Sequence, residues 1–399
     1  MVRRLTAVIA GGGVGGLAAA SALARRGLAV TVVERAATLT DVGSGLILYP
    51  NGVAAADAIS PALGRRIQLT GHVPAPEEFR LVLSASGKVL AREPIGLAQH
   101  RYGRPQISIL RTALQDALIS EAQAAGVRLS LGVVVRDYAN SGDSVAVQLS
   151  DGSTRHADLL VAADGIRSAM RRRMLGDSPL RYRGYTSVRG RTTGTWLRPH
   201  GFVANGRGIQ LFAAPVGPRS LYWTAKITAP AGTWPELRGA AALRALTRRL
   251  RGWHAPIVRL IAEASEDDVA VTDICDQDPI PDWVDGRVVL LGDAAHPMTP
   301  SLGQAANMAL EDAAVLAHTL GSHGTDVPAA LVDYQRQRSA RTAQVVLLSR
   351  RQGSLDQGAG RVRALVRDTA IQLRGRKDAA ILDVIGWTPP AAQALREVS

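Results

Sequence analysis

The chain has 399 residues, 46% of them hydrophobic and 20% charged, which is the composition of a globular protein long enough for two domains. Its single cysteine, Cys275, excludes an internal disulfide and a redox-active thiol pair, and it favours a reducing, cytoplasmic setting. The net charge of +13 comes from arginines scattered along the chain rather than gathered with aromatic residues, so we expect no nucleic-acid partner. No apolar run approaches the roughly 18 residues of a membrane span.

The first segment has the pattern of a dinucleotide-binding unit. A buried strand, an alanine-rich helix and a second strand are predicted over 5–10, 17–26 and 28–33. The glycines of a G-x-G-x-x-G motif fall on Gly11, Gly13 and Gly16, and Glu34 closes the second strand. Such glycines make the tight turn, admit a pyrophosphate and let helix and strand pack, while the acid accepts ribose hydroxyls. The unit predicts dinucleotide binding and leaves FAD and NAD open.

The next segments depart from this α/β pattern. We expect a glycine-bearing loop over 42–52 and a β-hairpin over 78–93, which we assign to a second, sheet-rich domain. A helix is predicted over 107–120 with Arg111 at its start, where the side chain would either reach a phosphate or stay exposed. Further strands are predicted over 127–138, 144–149 and 159–163. The last of them ends in an Asp-Gly turn at Asp164, which alone carries little weight.

From 181 to 271 the chain alternates polar and apolar residues and has no phosphate motif. Strands and one helix are predicted over 185–191, 208–213, 220–228 and 240–251. Because successive side chains of a strand face opposite sides, only one of Tyr222 and Trp223 can face a pocket, and we predict that it is Tyr222.

A second strand-to-helix unit lies at 286–316. The strand 287–291 ends at Gly292-Asp293, and a helix is predicted from Leu302. Ligands of α/β sheets bind at the carboxyl ends of strands, so Asp293 is placed to grip a chain of hydroxyls. The helix start offers free N–H groups to an anion. The alternative is a loop whose aspartate only caps the helix. Beyond it, an arginine-rich helix over 332–350 and shorter helices broken at 389–390 are predicted.

These three motifs, in this order, resemble those of class A FAD-dependent monooxygenases, the group typified by para-hydroxybenzoate hydroxylase. The resemblance spans roughly residues 5–320 and rests on 11–16 with Glu34, on Asp164, Gly165, Ser168 and Arg171, and on 292–307. It implies an α/β fold in which a Rossmann-like FAD-binding domain is interleaved with a β-sheet-rich substrate domain and followed by C-terminal helices. The FAD-binding domain is assigned to 1–75, 100–180 and 276–335. The substrate domain is assigned to 76–99 and 181–275, and the C-terminal helices to 336–399.

The resemblance also implies the residues that bind FAD. Glu34 and Arg35 would hold the adenosine end, Asp293 the ribityl hydroxyls, and Arg111 the stretch between them. Val135 would bind the adenine through its backbone, and Asp164 would lie near the pyrophosphate. The full predicted set is Gly11, Gly13, Val14, Gly15, Gly16, Glu34, Arg35, Gly45, Arg111, Val135, Asp164, Gly292, Asp293, Pro300, Gly303, Gln304, Ala305, Ala306 and Asn307.

One position departs from the family pattern. The family reads P-x-x-G-Q-G, and this chain has Ala305 in place of the last glycine. If that residue needs a positive φ, alanine costs on the order of 1 kcal/mol; if it is helical, nothing is lost.

The activity that the resemblance implies is an NADH- or NADPH-dependent monooxygenation of an aromatic, polyketide-like or otherwise electron-rich small molecule. Oxygen from O₂ would be transferred through a flavin C4a-hydroperoxide, with hydroxylation or epoxidation as the outcome. No catalytic side chain and no metal site are predicted, because the flavin carries the chemistry. The predicted substrate contacts are Leu46, Leu48, Gln210, Phe212, Tyr222 and Pro300.

Two alternatives stay open at this point. A related flavoenzyme would reduce or oxidise its substrate without inserting oxygen, and a regulator would bind flavin without catalysis. The W-x-W-x-I-P signature of flavin halogenases is missing. A monomer or a homodimer is expected, and the sequence leaves the substrate, the oxidised position and the choice between NADH and NADPH open.

Overall fold

A computed structural model of the chain describes residues 4–39, 45–194, 201–374 and 379–390. Its strands are β1 (Thr6–Ala10), β2 (Ala29–Glu34), β3 (Gly45–Leu48), β4 (Arg80–Ser84), β5 (Val89–Glu93), β6 (Ile107–Leu110), β7 (Arg128–Leu131), β8 (Val135–Ser141), β9 (Ser144–Leu149), β10 (Thr154–Ala157), β11 (Leu159–Ala162), β12 (Arg181–Thr193), β13 (Phe202–Gly206), β14 (Ile209–Gly217), β15 (Ser220–Thr228), β16 (Ala270–Asp276), β17 (Val284–Asp285) and β18 (Val288–Leu290). Its α-helices are α1 (Val14–Arg25), α2 (Pro50–Ile59), α3 (Pro61–Thr70), α4 (Ala98–Tyr102), α5 (Arg111–Ala124), α6 (Ala169–Leu175), α7 (Gly239–Arg249), α8 (Ala255–Ala262), α9 (Ala305–His323), α10 (Val327–Asp356), α11 (Arg361–Arg374) and α12 (Ala379–Ile385).

A six-stranded sheet holds the nucleotide motifs. Its order is β17-β18-β11-β1-β2-β7, and all neighbours pair in parallel except β17 with β18. The central strands β1, β11 and β18 are short runs of buried aliphatic residues, as expected for a parallel sheet covered on both faces. Helix α1 packs against α5 and α9, while the antiparallel sheet β10-β9-β8 contacts β1 and β11. The three motif loops therefore meet at one edge, beyond the carboxyl ends of β1, β11 and β18.

A seven-stranded sheet forms the second layer. Its order is β16-β12-β15-β14-β13-β4-β5, so the predicted hairpin of 78–93 joins the far edge of this sheet. Trp223 is fully buried on one face, in a cluster with Leu246 of α7 and Leu260 of α8. The neighbouring residue on β15, Tyr222, points to the opposite face, as the strand alternation predicts.

The C-terminal helices join the two layers. Helix α10, 30 residues long, packs against α9 and runs through residue 335, where the sequence placed a domain boundary. Helix α11 lies on β5, and α12 contacts α2. Within the described residues, no helix combines the length and the apolar character needed to cross a bilayer.

Three predicted elements, and the loop expected over 42–52, differ from the structure. Residues 107–110 form strand β6, paired with β3 inside the expected glycine loop of 42–52, and only 111–124 is helical. The predicted strand 127–138 is split into β7 and β8, which belong to different sheets. The helix expected from Leu302 begins at Ala305. The first error arises because Ile107 and Ile109 are fully buried, and a short apolar run is compatible with both a strand and a helix.

Candidate active site

The turn from β1 into α1 requires glycine at two positions. Gly11 has φ +106°, and a Cβ there would lie 2.4 Å from the carbonyl oxygen of Ala163. A Cβ on Gly16 would lie 1.9 Å from the carbonyl oxygen of Gly11. Gly13 differs, because a Cβ there would meet no atom within 4 Å, and no side chain caps α1, which begins at Val14. The open backbone and uncapped helix start fit a bound pyrophosphate.

Glu34 lies beside this turn, at the end of β2. Its carboxylate accepts hydrogen bonds from the N–H groups of Gly12, at 2.6 Å, and Ala36, at 2.9 Å. Arg35 is exposed next to it. The N–H of Val133 donates to the Glu34 carbonyl at 3.0 Å, so the segment leading into Val135 passes the same place. The residues predicted for the adenosine end of FAD are thus neighbours.

The segment after β18 presents the second acid. Gly292–Ala294 forms a short 3₁₀ turn, and Asp293 is exposed on this turn. Enclosure by the surrounding protein raises the pKa of Asp293, although its electrostatic interactions with His296, Arg111 and Arg171 act in the opposite direction. Arg111 and Asp293, distant in sequence, are therefore brought close enough to interact.

The Asp-Gly motif after β11 holds two loops together. Oδ2 of Asp164 accepts hydrogen bonds from the N–H groups of Ala169, at 2.8 Å, and Met170, at 3.3 Å, at the start of α6, whose N-cap residue is Ser168. Buried Arg171 donates to the carbonyl oxygen of Ala294 at 2.8 Å and to that of Ile166 at 2.7 Å. Asp164 thus lies at the sheet edge where the pyrophosphate is predicted, but the hydrogen bonds described here join it to the protein backbone.

The start of α9 faces a cavity. Gly303 has φ +66°, Gln304 is the N-cap residue, and no side chain caps the helix. Its first residues, Ala305 and Ala306, line the cavity with uncapped N–H groups. Buried Asn307 donates to the carbonyl oxygen of Ile47 at 3.0 Å, which fixes β3 against this helix start.

Ala305 causes no backbone strain. It is the first residue of α9, and no non-glycine residue in the described ranges has a positive φ. Ala305 is therefore helical, the case in which replacing the family's glycine by alanine was expected to cost no free energy.

The cavity itself, of about 250 Å³, separates the start of α9 from the open face of the seven-stranded sheet. Predicted residues that line it are Gly45, Leu46, Arg111, Gln210, Phe212, Tyr222, Pro300, Gly303, Ala305 and Ala306. Leu48, predicted as a substrate contact, is instead fully buried in the core and does not line the cavity. Leu46 and Leu48 share one face of β3, but Leu48 lies at the end of the strand and packs in the core cluster that also contains Ile107 and Ile109.

Sequence reasoning missed other lining residues, namely Ile47, Tyr49, Arg80, Ser187, Arg189, Thr224, Lys226, Ser301 and Leu302. Some had a signal. Once Tyr222 is assigned to the cavity face, the two-residue period of β15 also places Thr224 and Lys226 there. No such rule identifies Gln115, which donates from α5 to the carbonyl oxygen of Gly12 at 2.7 Å and steadies the glycine turn.

Two of the lining cations have buried carboxylate partners. Arg80 lies opposite Glu93 on the β4–β5 hairpin, with 2.6 Å between Nη2 and the carboxylate. Lys226 Nζ lies 2.9 Å from Asp356 Oδ2 on α10. The Arg80 guanidinium also stacks 5.4 Å from the centre of the Phe212 ring.

A buried ionic cluster supports the Asp293 loop from behind. Asp312 Oδ2 accepts from the N–H of Gly292 at 3.0 Å and lies 2.6 Å from His296 Nε2. Asp312 Oδ1 accepts from Arg338 Nε at 2.7 Å, and Arg338 also binds Glu311 at 2.6 Å. Burial alone would raise the pKa of Asp312, but its interactions with His296 and Arg338 lower it to about 2. Within the described ranges, no group of His, Cys, Asp and Glu side chains forms a metal site.

Comparisons with known proteins agree with this geometry. The family model described as FAD binding domain matches residues 4–349. The chain is 38% identical over 397 residues to aurachin C monooxygenase/isomerase of Stigmatella aurantiaca, covering 96% of this chain and 99% of that one. It is 33% identical over 353 residues to 3-hydroxybenzoate 6-hydroxylase 1 of Aquipseudomonas alcaligenes, covering 86% and 87%. The solved structure of Klebsiella pneumoniae HpxO complexed with FAD and uric acid superposes with a TM-score of 0.87 at 26% identity, covering 97% of this chain and 98% of that one.

Replacing Asp293 tests the predicted flavin end of the site. We expect Asp293→Ala to weaken FAD binding by about tenfold to a hundredfold, since hydrogen bonds to a charged group contribute roughly 1.5–3 kcal/mol. Titration of the apoprotein with FAD, followed by quenching of flavin fluorescence, measures the change. The control is Asp282→Ala, which removes another exposed carboxylate, one that is not predicted to bind FAD. Equal affinities of the two variants for FAD would show that Asp293 does not contribute to FAD binding.

The buried cluster predicts a pH-dependent stability. The pKa of Asp312 falls from 3.8 to about 2 on folding, so its contribution is present above about pH 4 and is lost as the pH falls toward 2. Asp312→Asn should lower the free energy of unfolding by roughly 3–5 kcal/mol at neutral pH, because it leaves Arg338 underpaired. Urea unfolding should show this deficit shrinking below about pH 4. Exposed Asp267→Asn serves as the control, and a deficit that is constant with pH would contradict the assignment.

Proposed function

The chain belongs to the family of FAD-dependent monooxygenases, and we propose that it inserts oxygen into an uncharged, electron-rich aromatic or heteroaromatic molecule. The cavity between the start of α9 and the seven-stranded sheet is the observation that supports this proposal. One wall is formed by Gly303, Ala305 and Ala306, which would face the cofactor, and the opposite wall by strand side chains. Substrate and flavin ring would lie against each other across it.

Four parts of the chain would hold FAD. The open turn at Gly13 would receive the pyrophosphate, Glu34 the adenosine ribose, and Asp293 with Arg111 the ribityl chain. FAD bound there would supply the redox chemistry, with NADH or NADPH as reductant and O₂ as oxidant. The uncapped N–H groups of α9 would stabilise negative charge on the flavin ring, because the helix N-terminus carries a partial positive charge.

The charges around the cavity favour a neutral substrate. Arg80 and Lys226 are neutralised by Glu93 and Asp356, at 2.6 and 2.9 Å. A substrate carboxylate would have to compete with these partners and would lose its hydration on entry. An uncharged ring neither competes with these carboxylates nor loses the hydration of a charged group.

Aromatic side chains would orient such a ring. Phe212 and Tyr222 lie 6.3 Å apart, centre to centre, and tilted by 59°, which leaves faces and edges for a further ring. Gln210 is fixed by its hydrogen bond to Asn205 at 2.9 Å. Burial raises the pKa of the Tyr222 hydroxyl, so it stays protonated at neutral pH and can donate a hydrogen bond. Leu46 and Leu302 complete an apolar lining that limits water.

A hydroxybenzoate-like anion is the alternative substrate. Arg189 also lines the cavity, and one relative of 33% identity acts, by its name, on 3-hydroxybenzoate. Arg189 would then bind the carboxylate. We also propose a cytoplasmic location, for which the single cysteine is the only support.

A matched pair of compounds separates the two substrates. We expect FAD-loaded protein to oxidise NADH or NADPH faster with 3-hydroxybenzamide than with 3-hydroxybenzoate, because the two differ mainly in charge. Aurachin C serves as a further probe. Mass spectrometry should find a product that has gained one oxygen atom. Stimulation by the benzoate alone would overturn the neutral-substrate proposal, and NADH oxidation without any oxygenated product would point to a non-oxygenating flavoenzyme.

Removing one countercharge should shift this preference. Glu93→Gln leaves the Arg80 charge uncompensated beside the cavity, so kcat/KM for the benzoate relative to the benzamide should rise by about tenfold. The control is Glu78→Gln, whose carboxylate pairs with His72 at 3.0 Å and does not line the cavity. An unchanged ratio in Glu93→Gln would show that Arg80 does not face the substrate.

A further inference from the structure

Helix α11 buries little of its surface against the rest of the protein. Ile371, 8% exposed, is its buried anchor and packs with Val82 and Leu90 of the seven-stranded sheet. Arg367 lies on the same side and donates to the carbonyl oxygen of Gly206 at 2.9 Å. An α-helix turns 100° per residue, so these two residues and the half-buried Ala364 define one face, turned toward the sheet.

The opposite face is apolar and exposed. It carries Val362, Leu365, Val366 and Leu373, which are 74%, 68%, 62% and 78% exposed. Their spacing of three, four and seven residues places them together on the outward side. A surface helix of a globular protein normally has the reverse arrangement, with its apolar stripe in the core and polar residues outside. An apolar stripe turned outward indicates a binding surface.

The borders of this stripe are basic. Arg361 and Arg363 are exposed on the first turn of the helix. The β13–β14 turn, with exposed Arg207, lies close by, because the N–H of Gly208 donates to the carbonyl oxygen of Gly358 at 3.2 Å. The single acidic residue of the helix, Asp368, is paired with Arg367 at 2.9 Å. Apolar residues between arginines match a helix that lies in the surface of an anionic bilayer.

We propose that the outward face of α11 binds the surface of an anionic phospholipid membrane, with the helix parallel to the bilayer plane. The apolar side chains would enter the boundary between headgroups and acyl chains, and the arginines would contact lipid phosphates. A second copy of the chain is the other occupant that the experiment below tests. The proposal is independent of the substrate assignment.

Vesicle flotation of the FAD-loaded full chain tests the proposal. We expect the protein to float with vesicles of equal parts phosphatidylglycerol and phosphatidylcholine, but not with pure phosphatidylcholine, and to be released by high salt. The triple variant Val362→Gln, Leu365→Gln and Val366→Gln should partition at least about tenfold less, since three apolar side chains no longer enter the lipid. Leu69→Gln, at an 86% exposed leucine of α3, should float like the original chain.

A second variant guards against misfolding. Arg361→Glu with Arg363→Glu keeps the apolar stripe and should lose binding to the anionic vesicles only. Bound FAD and helix content should be unchanged in every variant, because all substituted side chains are exposed. Failure of the original chain to float, or equal flotation of the triple variant, would overturn the proposal. A dimer in light scattering that the triple variant converts to a monomer would assign the surface to a second copy.

Discussion

The buried carboxylate of Asp312 is the constraint on which the site depends. It receives the N–H of Gly292 at 3.0 Å and the guanidinium of Arg338 at 2.7 Å, and so joins the Asp293 loop, α9 and α10 in one place. Arg338 shares its charge with Glu311 at 2.6 Å. Removing one member would leave the remaining charges in the interior unbalanced. The cluster therefore fixes both where Asp293 stands and where the N-terminus of α9 points.

The other parts of the site are arranged around the Asp312 cluster. The start of α9 and the glycine turn after β1 lie at one edge of the parallel sheet, as α/β topology requires. The seven-stranded sheet closes the other side and contributes alternate residues from β12, β14 and β15. The family supplies the cofactor and the type of reaction, whereas we propose that the charge balance of these strand residues selects the ring that enters.

Local rules could be read from the sequence, and long-range pairs could not. The turn geometry at Gly11 and the choice of Tyr222 over Trp223 depend on a few neighbouring residues, and both are seen in the structure. The Lys226–Asp356 pair joins residues 130 positions apart, and nothing in either segment indicates its partner. Leu48 was misplaced for the same reason, since it packs in a core cluster with Ile107, its partner on β6, a strand predicted as helix.

The most direct test of an extended cofactor held between Glu34 and Asp293 is a titration of the apoprotein with FAD and with FMN. FMN lacks the adenosine that the glycine turn and Glu34 would bind. The geometry predicts one FAD bound per chain, with FMN weaker by about a hundredfold or more, a difference of roughly 2.7 kcal/mol. Equal affinity for the two flavins, or no binding of FAD, would contradict it.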